Sequence, residues 1–293
     1  MNSNSKILKT YKIYIDGKFP RTESGRFYTP EANGKKIGHI CLSSVKDFRN
    51  AVVAARKSQN EWAERTAFNK SQIVYRIAEM MEGKRKQFLD ELQLMGIKKA
   101  EAEKEIQEAI DNTIYYAGWC DKFQQIFSSV NPVASSHFNF SMYEAQGVIG
   151  VICPEKYPLL GLVSSVLPVI TGGNTCVVLA SYSKPLCAVT FAEVLETSDL
   201  PAGVVNILTG NPDELDTHFS THKDVDGFLF CGNKKDYSEL ESNCAENMKR
   251  FKRLEEKEFA YGKKGNPYLI LNHQEVKTTW HPVDNNLTGG NTY

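Results

Sequence analysis

The sequence lacks the features that mark several large classes of protein. A membrane-spanning helix needs roughly 20 consecutive apolar residues, and the longest apolar stretch, from Pro158 to Ile170, is shorter and interrupted by glycine, serine and proline. The N-terminal stretch has no apolar core of signal-peptide length. Basic and acidic residues balance at 35 each, without a basic stripe. We therefore expect a cytoplasmic globular protein with neither a membrane nor a nucleic-acid partner.

The cysteines also lack the spacing of a structural framework. There are seven of them, an odd number, and none forms a Cys-x-x-Cys pair. This usage is typical of reduced thiols in an intracellular protein, and it argues against disulfides and zinc clusters. His218 and His222 lie four residues apart, but no third ligand accompanies them. The sequence therefore predicts no metal site.

The pattern of apolar and polar residues divides the chain into four segments. Residues 1–129 begin with a hairpin signal at Asp16-Gly17 and continue with three stretches of helical apolar spacing. Residues 130–147 are polar and alternating, which predicts a projecting hairpin whose edge could accept another chain. From residue 148 to 272, apolar strands alternate with helices and end in a predicted strand at 267–272. Residues 273–293 are polar, and we expect an extended arm or a frayed end.

The alternation of strands and helices predicts an α/β fold. Its core would be a Rossmann-like doubly wound parallel sheet over residues 148–272, because buried parallel strands read as continuous apolar runs joined by helices. The preceding residues would add an N-terminal layer of helices and short strands, together with the projecting hairpin.

Five segments carry a resemblance to the aldehyde dehydrogenase superfamily. They are CPEKYPL, GGNTCVVLASYSKPL, LPAGVVNILTGNPDEL, HKDVDGFLFCGNKKDY and, more weakly, YGKKGNPYLIL. The resemblance covers the cofactor-binding half of the family, from about Ile13 to Asn272. It implies an aldehyde-dehydrogenase-like fold truncated before the catalytic domain, without the C-terminal strand that pairs with the hairpin. In the family, a cysteine attacks the aldehyde, an asparagine holds the oxyanion, a glutamate activates water and a nicotinamide accepts hydride.

The resemblance implies that the catalytic positions are degenerate. The oxyanion asparagine falls on Lys156, and the tryptophan before it falls on Glu155. A lysine does not reproduce a fixed amide donor. The general-base glutamate falls on or near Tyr261. The nucleophilic cysteine would lie beyond residue 293, and no cysteine follows Cys244.

Most of the positions that bind the coenzyme in the family are also substituted. The ribose-binding lysine falls on Leu179 and the ribose-binding glutamate on Tyr182, while Gly210 and Gly232 remain as remnants of the glycine pattern. Asn233 stands where the family has a serine that meets the pyrophosphate. The resemblance therefore implies that no cofactor is held, and NAD(P) binding stays open as the alternative.

These substitutions are most similar to those of the non-catalytic second half of aldehyde dehydrogenase family 16. They favour an inactive pseudoenzyme that supports or binds a full-length aldehyde dehydrogenase, or a copy of itself, through residues 130–147. The alternative is an NAD(P)-dependent aldehyde oxidoreductase subunit whose catalytic cysteine comes from another chain. The Glu155-Lys156 pair is either a solvated turn or part of an interface.

Overall fold

The computed structural model describes residues 7–232, 236–263 and 265–283. Its first segment contains only short strands: β1 (Thr10–Tyr11), β2 (Phe27–Tyr28), β3 (Glu31–Ala32), β4 (Lys35–Lys36) and β5 (His39–Cys41). The tight turn predicted at Asp16-Gly17 is present, with φ of 52° and 70° and reciprocal backbone hydrogen bonds between Ile15 and Lys18. Tyr14 also bonds to Ile207, so this segment is attached to the main sheet.

A layer of helices follows. It consists of α1 (Val45–Glu64), α2 (Ala67–Gly83), α3 (Arg85–Leu94), α4 (Lys99–Ala117) and α5 (Lys122–Phe127). Ser44 and Asp47 form a reciprocal capping box that starts α1. The second and third helical stretches predicted from the sequence are each divided in two, the second at Lys84 and the third by the turn at Gly118–Asp121. The apolar periodicity continues across both breaks, which is why the sequence did not reveal them.

The predicted hairpin is present. It consists of β6 (Ser129–Asn131) and the longer β7 (His137–Ala145), paired antiparallel. Gly147 joins the hairpin to the main sheet with φ of 137°, and a Cβ at this position would lie 1.9 Å from Asp226 Oδ2. That carboxylate accepts the amide of Val148 at 2.7 Å. A residue with a side chain would therefore displace the anchor of the first core strand.

The predicted Rossmann-like core is confirmed. It comprises β8 (Val148–Ile152), α6 (Leu160–Thr171), β9 (Thr175–Leu179), α7 (Leu186–Glu196), β10 (Val205–Leu208), α8 (Pro212–Thr221), β11 (Gly227–Phe230), α9 (Ser238–Glu246) and β12 (Arg250–Arg253). The strands are parallel in the order β10-β9-β8-β11-β12. Helices α1, α8 and α9 cover one face, and α6 and α7, backed by α2 to α4, cover the other. The chain changes direction at β8, which places a crevice outside the carboxyl ends of β8 and β11.

The last part of the chain differs from two expectations. The strand predicted at residues 267–272 is one helical turn, α10 (Tyr268–Leu271), because the outer place in the sheet is already taken by β12. Of the two forms expected for residues 273–293, an extended arm or a frayed end, Gln274–Pro282 takes the extended form, but as the nine-residue strand β13 of a sheet and not as a free arm. Residues 284–293 lie outside the described residues.

Strand β13 pairs antiparallel with β7 along its whole length and gives a sheet of order β13-β7-β6. The implication that the chain lacks a strand to pair with the hairpin is therefore wrong. None of the helices in the described ranges has the length and apolar character of a membrane span.

Candidate functional site

The crevice at the carboxyl ends of the parallel strands contains a cavity of about 470 Å³. Glu155, Asp213 and Asp216 give its wall three carboxylates, and Tyr182 and Phe230 contribute aromatic rings. Among the described residues that line it there is no lysine or arginine. Glu155 and Asp213 therefore place negative charge at this end of the sheet.

Glu155 closes the loop between β9 and α7. Its Oε2 accepts hydrogen bonds from Ser181 Oγ at 2.8 Å, Ser183 N at 3.0 Å and Ser183 Oγ at 2.5 Å, and its Oε1 accepts one from Tyr182 N at 2.8 Å. The turn after β8 is thereby tied to the turn after β9, the neighbouring strand. Because its carboxylate is engaged within the chain, Glu155 is not a solvated turn residue, and the interface alternative for the Glu155-Lys156 pair stays a prediction.

The two ribose positions have structural roles. Leu179 is fully buried at the end of β9 and presents no polar side-chain atom. Tyr182 stacks on Tyr28 with ring centroids 4.5 Å apart, and Tyr28 Oη donates a hydrogen bond to the Tyr182 carbonyl at 3.0 Å. Burial, the main cause, raises the pKa of Tyr28. The Tyr182 ring is therefore held against the N-terminal layer, although its edge still reaches the cavity.

Gly210 and Gly232, the two glycines kept from the family pattern, each lie close to another part of the chain. A Cβ at Gly210 would lie 3.3 Å from the amide nitrogen of Ser43, which itself donates to the Thr209 carbonyl. A Cβ at Gly232 would lie 3.0 Å from the ring of Phe230. Packing accounts for both glycines. Asn233, the position predicted to face a pyrophosphate, lies outside the described residues.

The oxyanion position and the general-base position come together, with Tyr157 between them. Lys156 is exposed, and its Nζ lies 5.4 Å from the centre of the Tyr157 ring. Tyr157 meets Tyr261 edge to face at 5.2 Å. Tyr261 Oη donates to Glu105 Oε2 at 3.2 Å, and Lys104 lies over the Tyr261 ring at 5.3 Å. The two positions assigned by resemblance, Lys156 and Tyr261, therefore lie in one cluster, as they would in an active site. The contacts within this cluster are those of packed aromatic rings.

Glu105 is the buried carboxylate of this cluster, and sequence reasoning missed it. It comes from α4 and is fully buried. Its Oε1 accepts the amides of Leu159 at 2.9 Å and Leu160 at 3.1 Å, at the start of α6. Burial, the largest effect, raises its pKa, while these hydrogen bonds oppose the rise. The N-terminus of α6 would otherwise attract an anion. The carboxylate of Glu105 already occupies this place and accepts the free amides of the helix.

The thiols do not provide a nucleophile. All seven cysteines are buried and free. Burial raises the pKa of Cys120 and Cys231 to about 12 and that of Cys244 to about 11, and it also raises the pKa of Cys153, Cys176 and Cys187. Only a thiolate attacks a carbonyl, and these environments favour the thiol. Cys153 borders the crevice, but its side chain is shielded and its pKa lies well above that of a free thiol.

No metal centre can be built from the described residues, since nowhere among them do three or more histidine, cysteine or acidic side chains lie in a ligating arrangement. His222 caps the end of α8, where its ring contacts Phe48 edge to face. Burial, the first cause, lowers the pKa of His222. This histidine therefore acts in the packing of α8 against α1.

A protein-family comparison decides what this fold and site belong to. The model of the aldehyde dehydrogenase family matches residues 20–255. The chain belongs to the aldehyde dehydrogenase family. Its relatives include the Bacillus subtilis protein named "Putative aldehyde dehydrogenase DhaS", which is 34% identical over 248 residues, or 82% of this chain and 49% of that protein. The cytosolic 10-formyltetrahydrofolate dehydrogenase of Xenopus laevis is 27% identical over 85% of this chain and 28% of its own length. This family member thus spans about half the length of the first of these relatives, and less of the second.

Solved structures show the same fold. The NAD+ complex of aldehyde dehydrogenase from Bacillus cereus superposes with a TM-score of 0.80 at 24% identity, over 87% of this chain and 53% of that one. Betaine aldehyde dehydrogenase from Staphylococcus aureus gives a TM-score of 0.78 at 23% identity, over 84% of this chain and 50% of the other. The predicted aldehyde-dehydrogenase-like fold is therefore confirmed.

The fold family implies a nicotinamide dinucleotide at the crevice, and the described residues do not fit one. A diphosphate is an anion, whereas Glu155 and Asp213 line the described wall without a lysine or arginine among its described residues. The loop amides after β9 already bond to Glu155, and Leu179 offers no partner to a ribose hydroxyl. With no lysine or arginine among the described lining residues, burying a diphosphate here would be unfavourable.

Proposed function

We propose that this aldehyde dehydrogenase family member is catalytically inactive and acts by binding and supporting a full-length aldehyde dehydrogenase. The observation that carries the proposal is that the polar groups of its site are bonded to one another. Glu155 accepts the hydrogen bonds of the loop after β9, and Glu105 accepts those of the first amides of α6. Tyr261 donates to Glu105. An acyl-transfer site instead needs an available nucleophile, base and oxyanion donor.

The same proposal includes the absence of a bound coenzyme. It is supported by the engagement of the loop amides after β9 by Glu155 and by the stacked, structural role of Tyr182. The substitutions at Glu155, Lys156, Leu179 and Tyr261 further support a likeness to the non-catalytic half of aldehyde dehydrogenase family 16.

The hairpin sheet offers the docking surface. Side chains alternate along a strand, so Val130, Phe138 and Met142 project from the same face of β6 and β7. They are 67%, 46% and 45% exposed. Exposed apolar side chains in a row on a projecting sheet are typical of a protein interface. This face, which we call the outer hairpin face, is where we place the full-length partner.

Co-purification tests the proposal. The tagged chain and a full-length aldehyde dehydrogenase of the same organism are expressed together, and the complex is measured by size exclusion with light scattering. We expect one complex for the natural chain and its loss in the double variant Phe138→Glu and Met142→Glu. Phe68→Glu is the matched control, since Phe68 is 71% exposed but lies on α2 rather than on the hairpin. Separate elution of the natural chain and every full-length candidate would contradict the proposal.

The alternative is an NAD(P)-dependent subunit that receives its cysteine from another chain. The parallel sheet and its crevice, which are retained, favour this alternative. Calorimetric titration with NAD and NADP, followed by an aldehyde assay with and without the partner, separates the two. Saturable coenzyme binding would support the subunit. Turnover by the chain alone would exclude the inactive role.

A further inference from the structure

A second cavity lies apart from the crevice, between α4, α6 and the turns that precede α10. Its volume is about 190 Å³. None of the described residues that line it also lines the crevice, and Lys156 and Tyr261 are not among them. This space, which we call the α4–α6 cavity, is therefore separate from both the crevice and the degenerate catalytic positions.

Hydrogen bonds fix one wall of this cavity. Gly262 N donates to both carboxylate oxygens of Glu108 on α4, at 3.0 and 2.9 Å. Tyr116 Oη donates to the carbonyl of Asn266 at 3.2 Å and accepts the amide of the same residue at 3.3 Å. The turns before α10 are thus attached to α4 at two places. The cavity is present before any ligand binds, which lowers the entropic cost of binding.

The interior presents one buried acceptor. Asn112 of α4 lines the cavity and is only 8% exposed. Its Nδ2 donates to Ser164 Oγ of α6 at 3.0 Å, but no described residue donates to its Oδ1. A buried carbonyl group without a partner is unfavourable. A ligand with a hydrogen-bond donor would satisfy this oxygen.

Two charges of opposite sign border the cavity. They belong to Glu258 and Lys263, whose side chains are exposed. Neither forms an ion pair or a side-chain hydrogen bond with a described residue, although Lys257, next to Glu258, pairs with Glu255 at 2.7 Å. A carboxylate and an ammonium that share a cavity without pairing with each other are complementary to a zwitterion. A ligand that carries both charges would pair with each of them.

Leucines supply the apolar part of the lining. Leu160 of α6, Leu254 and Leu269 of α10 all border the cavity, and Leu160 is fully buried. An apolar cavity of about 150 Å³ holds a benzene molecule. The α4–α6 cavity, at about 190 Å³, therefore has room for a short branched side chain together with a polar end.

We propose that the α4–α6 cavity binds a free α-amino acid with a branched aliphatic side chain. The α-ammonium group would bond to Glu258 and to Asn112 Oδ1, and the α-carboxylate would pair with Lys263. The side chain would lie against the three leucines. This ligand site goes beyond the proposed function and does not depend on it, since it uses neither the hairpin nor the crevice.

Isothermal calorimetry of the purified full chain, with L-leucine as the probe, tests the proposal. We expect saturable binding of one molecule per chain. Isocaproate lacks the ammonium group of leucine and isoamylamine lacks its carboxylate. Each should bind at least about tenfold more weakly, because each loses a charge-assisted contact. Glycine should also bind at least about tenfold more weakly, because it has no side chain to bury against the leucines.

Two variants assign the charges. Glu258→Gln should weaken the binding of leucine and isoamylamine but not that of isocaproate, which has no ammonium group. Lys263→Met should weaken the binding of leucine and isocaproate but not that of isoamylamine. Both residues are exposed, so both variants should fold. Glu256→Gln is the matched control, since Glu256 lies on the same short helical turn as Glu258 but does not line the cavity.

The proposal is wrong if leucine does not saturate the chain up to about 10 mM, if either single-charge analogue binds as tightly as leucine, or if neither variant weakens the binding of leucine. Circular dichroism reports whether the variants fold. If one does not, the analogue series on the natural chain decides alone. Failure to bind a full-length dehydrogenase leaves the leucine titration unchanged, so the two proposals can fail separately.

Discussion

Replacing Glu155 with alanine tests whether the crevice is held together by its own carboxylate. The change removes four acceptor contacts that join the turn after β8 to the turn after β9. Hydrogen bonds to a charged group contribute about 1.5 to 3 kcal/mol each when buried. Water can replace the partners of Tyr182 and Ser183, which are exposed, whereas Ser181 is buried. We therefore expect a total loss of about 2 kcal/mol rather than the full sum.

The measurements are unfolding in urea, thermal unfolding and amide hydrogen exchange. A loss of that size would lower the midpoint of thermal unfolding by about 3 to 5 °C in a chain of this length. The amides of Tyr182 and Ser183 should exchange faster, since both bond to the carboxylate. Glu155→Gln should lose about half as much, because it keeps one acceptor oxygen.

Lys156→Ala is the matched control for this experiment. Lys156 is exposed, and its contact is with the Tyr157 ring, so its removal should change stability by less than about 0.5 kcal/mol. If Glu155→Ala and Lys156→Ala had equal effects on stability and on exchange, the reasoning about the crevice would be refuted.

Three further predictions concern the rest of the chain. Glu105→Ala should lower the free energy of unfolding by about 2 to 4 kcal/mol, because it leaves two buried amides of α6 without an acceptor; Tyr261→Phe should cost about 1 kcal/mol or less, and equal losses in denaturant titrations would contradict this. Burial raises the pKa of Glu91 from 4.5 to about 7, so the folded state retains a proton that the unfolded state releases, and stability should fall by about 2 to 3 kcal/mol as the pH rises from 4.5 to 7. Glu91→Gln should flatten that slope, and an unchanged slope would argue against the shift. Because all seven thiols are buried, a thiol reagent should label the native chain at only the rate of its unfolding, and fast stoichiometric labelling would show a reactive cysteine.

The sequence predicted the regular parts of the fold well. The core strands were recognisable because each is a continuous apolar run followed by a helix, as in VIGVI of β8 and TCVVL of β9. Strand β12 was missed because its sequence, RFKR, is charged and it lies at the edge of the sheet. The sequence YLIL of α10 looked like a strand because a short apolar run does not distinguish one helical turn from an extended segment.

The site was harder to predict than the fold, for a physical reason. Lys156 and Tyr261 were found by resemblance, and they do belong to one cluster. The partners of Glu155 lie 26 to 28 residues away and meet it only because β8 and β9 are adjacent. Glu105 gave no signal at all, since one acid in a helix rich in acids does not reveal which of them is buried. In β13, the alternation of EVKTTW was a usable signal of a strand.

The position of β13 also has a consequence for how the chain is made. Ser141 of β7 and Thr278 of β13 are hydrogen-bonded across 137 residues of sequence. A ribosome must therefore synthesise the entire parallel sheet before the hairpin can acquire its third strand. Until then, one whole edge of β7 is unpaired beside an apolar face, a state prone to association with other nascent chains. We expect that interval, rather than the assembly of the core, to be when this protein most needs a chaperone.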